Sequence, residues 1–435
     1  MKASIGVNLL GNVTLAASRW SVFVLIVKLV QREVMEKGVA DLTTATALCG
    51  PVFMLLGGGL RQIVAVQYFT QGEWLRIVAG RFSLGVGAVG LCAVGGLVWG
   101  VGEGFGVLCA VAAARFADGM SELVYAILQR EGLFKPIALF KIARGTISTA
   151  VIGCGLGCGQ SLAVALGLAA FCWWVQLVTL EIPCGLKLSN SSEVRGLRVG
   201  GGRQGGVNGA LFIEGLLLST AMALGALSAF LPAYVLDWRG DHRLLAIYGT
   251  LYCFVAAQQM IYVSFGQCLV PRFASMFHVG EAVAIRRSLG VAMGSVLLVA
   301  LIGAGLTQVF GPVLLGQIYS EDFSGQAGGL AALLLAGGLT GVCAIAGSAL
   351  TSARVYGRQI VVSLVHIAVQ GSVLIGFGDQ LTFVQIGFAQ GIAAIFAIVV
   401  IWVISAPQLE ARRVRNSKQG QDGTQVFSSS GNRAA

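Results

Sequence analysis

Between Ala113 and Gly132 the chain reads A-A-R-F-A-D-G-M-S-E-L-V-Y-A-I-L-Q-R-E-G, placing Arg115, Asp118 and Glu122 inside an otherwise apolar run. At helical periodicity, Arg115, Asp118, Glu122, Tyr125 and Gln129 share an arc of about 80°, while Phe116, Met120, Leu123 and Ile127 face elsewhere. A guanidinium is always charged and fork-shaped, which suits a phosphate or diphosphate. A buried carboxyl can exist charged or neutral, which suits coupling to a proton or Na⁺. The plainer alternative is an internal ion pair, Arg115 to Asp118 at i,i+3. One arginine cannot neutralise two carboxylates, so a second cation or a proton has to join.

Other runs carry the same kinds of group. Asn8, Asn12 and Arg19 share one helical face, and Arg61 ends a face formed by Thr43, Gly50, Met54 and Gly57. Glu214 stands alone in its run. Tyr248, Tyr252, Gln259, Tyr262 and Gly266 fall within a narrow arc. Such aromatic and amide groups either stack on and hydrogen-bond sugars or tie helices together. The lone His366 reads as a core hydrogen-bonding residue and Lys28 as a snorkelling one. The expected cavity faces therefore set the cations Arg19, Arg61 and Arg115 against the acids Asp118, Glu122 and Glu214. That balance fits a transporter of something anionic and polar.

These groups need elements to hold them. The chain has 435 residues, 56% apolar and 11% charged, with a mean hydropathy of +0.83. Soluble domains carry about a quarter charged residues, so this is the balance of a membrane protein. Crossing hydrocarbon takes about 20 apolar residues as helix, because an unpaired backbone amide is too costly in lipid. Twelve runs qualify: 8–30, 42–68, 82–101, 107–129, 138–158, 161–180, 207–231, 244–268, 288–310, 327–350, 359–378 and 381–404. With the N-terminus inside, Arg32, Lys37, Arg239 and Arg243 fall on the outer side, and 21 of the 29 Lys and Arg residues fall on the inner side. This satisfies the positive-inside rule and accounts for the net charge of +10 without nucleic acid. Both termini are expected in the cytoplasm. The continuation through Arg19 to Val30 makes Met1–Ala17 part of a retained span.

The expected organisation is two six-helix lobes, 1–180 and 207–405, joined by a polar Gly-rich linker at 181–206. A basic tail follows at 406–435. The halves echo each other weakly: Gly58, Phe69, Gly72 and Glu73 fall on Gly266, Phe277, Gly280 and Glu281 at one fixed offset. Small residues, among them 62 glycines, suit close helix packing. The ten cysteines lie in or beside spans with no metal-ligand spacing, so no metal or cofactor is expected. G-V-G-A-V-G at 85–90 matches a dinucleotide fingerprint, but inside a span it has no strand before it.

Several stretches resemble bacterial oligosaccharide flippases, the Wzx-type polysaccharide exporters of the superfamily that includes multidrug MATE transporters. M-L-L-G-G-G-L-R-Q (54–62) is similar to the end of that family's second helix. F-A-D-G-M-S-E-L-V-Y-A-I-L-Q-R-E-G-L-F-K-P-I-A (116–138) resembles its fourth helix and the loop beyond. F-G-Q-C-L-V-P-R-F-A-S-M-F-H-V-G-E (265–281) and F-G-P-V-L-L-G-Q-I-Y-S-E-D-F (310–323) resemble segments of the second half. The likeness covers all twelve spans. It implies a MATE-like all-α membrane fold of two six-helix lobes around a central cavity, in the bacterial inner membrane. It also implies alternating access that carries an undecaprenyl-diphosphate-linked oligosaccharide from the inner to the outer leaflet, with polysaccharide polymerase or assembly proteins as partners. The chain departs from the family at Glu214, where a Pro is common, and at Ala233 in L-P-A-Y, where an Arg is common. The second lobe is thus expected to lack a cavity arginine. On this reading Arg19, Arg61 and Arg115, with Asn12 beside them, meet the diphosphate. Tyr248, Tyr252, Gln259 and Tyr262 meet the sugars, and Asp118, Glu122 or Glu214 takes a coupling cation. The rivals are a MATE-type organic-cation antiporter and a membrane enzyme acting on lipid-linked glycans. The enzyme reading fits poorly with such short outer connections.

Overall fold

Apolar runs of this length can satisfy their backbone only as helices, and each of the twelve holds one. The computed structural model describes residues 2–30, 32–57, 59, 61, 64, 71–194, 209–279, 281–319, 321–353, 355–378 and 381–403. The membrane helices are α1 (Lys2–Leu29), α2 (Arg32–Gly57), α3 (Gln71–Val98), α4 (Phe105–Arg130), α5 (Phe134–Gly157) and α6 (Leu162–Gln176). They continue as α7 (Gly209–Trp238), α8 (His242–Val279), α9 (Ala282–Ile318), α10 (Ala327–Ser352), α11 (Tyr356–Gly376) and α12 (Phe383–Val403). Among the described residues, eleven helices are long and apolar enough to cross a membrane. The helix outside that set is α4, the one carrying Arg115, Asp118 and Glu122.

Packing divides the helices into two sets. In the first, α1 packs on α5, α4 on α2, α3 and α6, and α5 on α6. In the second, α7 packs on α11, while α10 packs on α8 and α9 and donates the Cys343 thiol to the Ala394 carbonyl of α12. The lobes meet where α1 touches α8 and where α2 touches α7 and α8. Glycine permits the last approach: a Cβ on Gly249 of α8 would lie 1.9 Å from the Thr43 hydroxyl of α2. Lipid offers apolar surface as good as the protein's own, so fit and hydrogen bonds hold such seams together.

The sixth span differs from its sequence reading. Beyond α6, Leu177–Glu181 form a π-helical turn, and the chain continues as helix through Ile182–Val194. The linker expected from 181 is therefore helical to Val194. Its remainder, the tail at 406–435, and Gly58, Phe69 and Gly280 of the repeat lie outside the described residues. Below, the near face is the one at which α1 begins and α4 ends, and the far face is the opposite one.

The seam is tied through its far half. Trp20 donates to the Tyr319 hydroxyl at 2.8 Å, Thr44 to Asp237 at 3.2 Å, Trp99 to Asp237 at 2.5 Å, and Tyr234 to the Ala47 carbonyl at 2.5 Å. Nearer the middle, a cavity of about 240 Å³ opens between α1 and α8, lined by residues that include Asn12, Ala16, Trp20, Phe254 and Ile261.

Candidate functional site

The polar stripe of α4 points into the first lobe, where three other elements supply counter-charges. Asp118 is shared: Arg144 of α5 donates to its Oδ1 at 2.9 Å, and Arg19 of α1 approaches its Oδ2 at 3.4 Å. Arg61, just beyond α2, pairs with Glu122 and reaches Gln129 at 3.4 Å. The i,i+3 pair within α4 does not form. Arg115 is half-buried and has no hydrogen bond or ion pair among the described residues. It lies close enough to act electrostatically on both Arg19 and Asp118.

Beneath this layer lies a cluster that sequence reasoning missed. Arg144 is 1% exposed and Glu181 is wholly buried. They pair at 2.9 Å, and the same Glu181 oxygen accepts from Tyr125 at 3.1 Å and Gln176 at 2.8 Å. Arg144 also donates to Ser121, and its guanidinium lies 4.9 Å from the centre of the Trp173 ring. The π-turn puts Gln176 and Glu181 five residues apart on one side of a helix, an arrangement often found at functional positions. Lys141, one turn before Arg144, donates to Asn12 of α1 at 2.7 Å. Arg81 of α3 is buried and donates to the carbonyls of Leu56 at 3.0 Å and Gly119 at 3.4 Å. Only glycine at 57 and 119 leaves room for it, since a Cβ at either place would overlap its guanidinium. On the sequence, Arg81, Lys141 and Arg144 count among the inner-side charges of loops and adjacent helix ends, and Glu181 as the first linker residue. The K-I-A-R spacing, which sets Lys141 and Arg144 on one face well inside a span, is the available signal.

The second lobe places its candidates differently. Tyr248 and Tyr262 are buried. Tyr248 donates to the Ala229 carbonyl at 3.5 Å and stacks on Tyr252 with ring centres 5.5 Å apart. Tyr252 also leans on Phe230 of α7 at 5.7 Å. Gln259 donates to the Gly337 carbonyl at 2.6 Å, and Tyr262 donates to that of Val296 at 3.3 Å. In this conformation the polar atoms of Tyr248, Gln259 and Tyr262 join α8 to α7, α9 and α10. Glu214, near the start of α7, has no hydrogen bond or ion pair among the described residues.

The arrangement is a MATE-like fold with a cation-rich interior in one lobe. No protein-family profile matches the chain, and no curated protein matches it. Solved structures do. A point mutant of VcmN, a Vibrio cholerae MATE transporter, superposes with a TM-score of 0.65 at 15% identity, covering 94% of this chain and 96% of that one. An outward-facing multidrug-resistance MATE family transporter of the MOP superfamily gives 0.62 at 12%, covering 94% and 96%. A eukaryotic MATE transporter, AtDTX14, gives 0.60 at 14%, covering 94% and 97%.

Proposed function

We propose that the chain is a membrane flippase that moves a polyprenyl-diphosphate-linked oligosaccharide across the bilayer by alternating access of its two lobes. The carrying observation is the charge balance of the first lobe. Among the described residues, Arg19, Arg61, Arg81, Arg115, Lys141 and Arg144 surround only Asp118, Glu122 and Glu181. Even with every carboxylate ionised, positive charge is left over in a region where charge is expensive. A diphosphate offers compensating charge in a shape that a guanidinium grips with two hydrogen bonds. Arg115, which has no anion partner among the described residues, and the partly exposed Arg19 and Arg61 are the groups that meet it. Glu214, the one expected coupling acid without a cation beside it among the described residues, is assigned to the coupling ion. The near face is then the cytoplasmic one and the membrane the bacterial inner membrane.

The MATE-like fold equally suits a MATE-type organic-cation antiporter, since the solved structures it superposes on are named as MATE transporters. The two readings separate by charge, because an organic cation calls for an excess of carboxylates. In vesicles carrying the purified protein, lipid-linked glycan should change leaflet, and Arg115→Ala should slow it about tenfold, the worth of one charge-assisted hydrogen bond. Glycan movement unaffected by Arg115→Ala would remove that residue from the site, and absence of glycan movement, or organic-cation counterflow in its place, would refute the flippase reading.

A further inference from the structure

We infer that Arg144, which is too deeply buried to touch cargo, is a positioning residue that sets how tightly Asp118 holds Arg19, and through it the affinity of the site for a diphosphate. The inference rests on the flippase reading and specifies how its anion site is tuned.

Asp118 stands at a boundary. On its inner side is Arg144, 1% exposed, bonded at 2.9 Å and locked by Glu181, Ser121 and the Trp173 ring. On its outer side is Arg19, 35% exposed, at the looser distance of 3.4 Å. Each arginine takes a different carboxylate oxygen. Asp118 is therefore largely neutralised from behind, and Arg19 faces a carboxylate whose charge is already spent. A guanidinium held this loosely can leave for a better anion without abandoning an unpaired buried charge. Without Arg144 the full charge of Asp118 falls on Arg19, and the carboxylate becomes a rival to the cargo. Glu181 completes the device: it takes the second arm of Arg144 and keeps the fork pointed at α4. Arg115 adds repulsion to Arg19 from one turn earlier on α4, which also favours release.

Asp118 is thus a competitor, and removing its charge should improve binding. Titration of the full-length protein in nanodiscs with inorganic diphosphate should show Asp118→Asn binding about tenfold more tightly than the original chain, the size of one charge-assisted pairing. Arg144→Gln alone buries an unpaired Glu181 and is prone to misfolding. Arg144→Gln with Glu181→Gln keeps that pocket neutral and should bind about tenfold more weakly. Adding Asp118→Asn to this pair should restore the affinity, a rescue that a merely structural Arg144 would not permit. Weaker or unchanged binding in Asp118→Asn, or no rescue in the triple variant, overturns the inference while leaving the anion site in place. Absence of diphosphate binding by the original chain overturns the flippase reading and this inference together.

Discussion

The two lobes bury polar groups in opposite ways. In the first, charged groups from α1, α4, α5 and the π-turn after α6 meet partway along the helices, inside the bundle. In the second, neutral groups spend themselves on carbonyls or on each other: Gln258 on Tyr262 at 2.8 Å, Gln259 on Gly337 at 2.6 Å, Ser228 on Gln370 at 3.1 Å. A neutral hydrogen bond between membrane helices is worth well under 1 kcal/mol on average and serves as glue. A buried ion pair gains little over an apolar packing, yet losing one member is costly. On the proposed reading, the cluster of charge found among the described residues of the first lobe is where cargo is handled, and the second lobe is mainly the packed body that moves against it.

The largest break in this contrast should come from Arg144→Gln alone, which strands Glu181. A destabilisation of about 3–5 kcal/mol is expected, read as loss of monodisperse protein on heating in detergent. Next is Arg115→Ala. Because Arg115 has no ion-pair partner among the described residues, stability should hold within about 1 kcal/mol while translocation falls about tenfold. Separation of stability from transport is what distinguishes cargo contact from packing. In the second lobe, Tyr262→Phe removes the hydroxyl between Gln258 and Val296. It should cost about 1 kcal/mol of stability and leave transport intact; a transport defect with normal stability would return the tyrosine face to the cargo path.

The smallest effect is expected at the far face, at the exposed pair of Lys37 and Glu103. Hydrogen bonding to Lys37 holds the Glu103 carboxyl below its usual range. A carboxyl lowered in this way adds stability above its unfolded pKa and loses it as pH falls through the folded one. Any difference between the original chain and Glu103→Gln should therefore vanish on acidification. Since the pair is fully solvated, that difference should be barely detectable at neutral pH.

Much of the fold is legible in the sequence because lipid leaves the backbone few choices. The length and apolarity of each run, and the tight turns between them, define the helices. Gly132 and Gly159, at φ 71° and 75° in the left-handed region, close α4 and α5 where the apolar runs stop. The stripe on α4 is legible too, as periodicity alone groups Arg115, Asp118 and Glu122. The partners of that stripe are not. Arg81, Lys141 and Arg144 are basic residues near expected helix ends, where a topology count consigns them to loops. Glu181 is brought in by a π-turn that no apolar period announces. Periodicity groups the Tyr248–Tyr262 face but leaves its role open, and only the neighbouring carbonyls show that it binds helices together.

On the proposed reading, the charged interior of the first lobe is wet and grips a phosphorylated cargo. The most direct measurement is thiol labelling from water, in a cysteine-free background, of single variants Arg115→Cys, Asp118→Cys and Glu122→Cys. All three positions should react, and inorganic diphosphate should slow the reaction at 118 and 122, where Arg19, Arg61 and Arg115 remain. Positions sealed from the reagent throughout, or labelling indifferent to diphosphate, would contradict it.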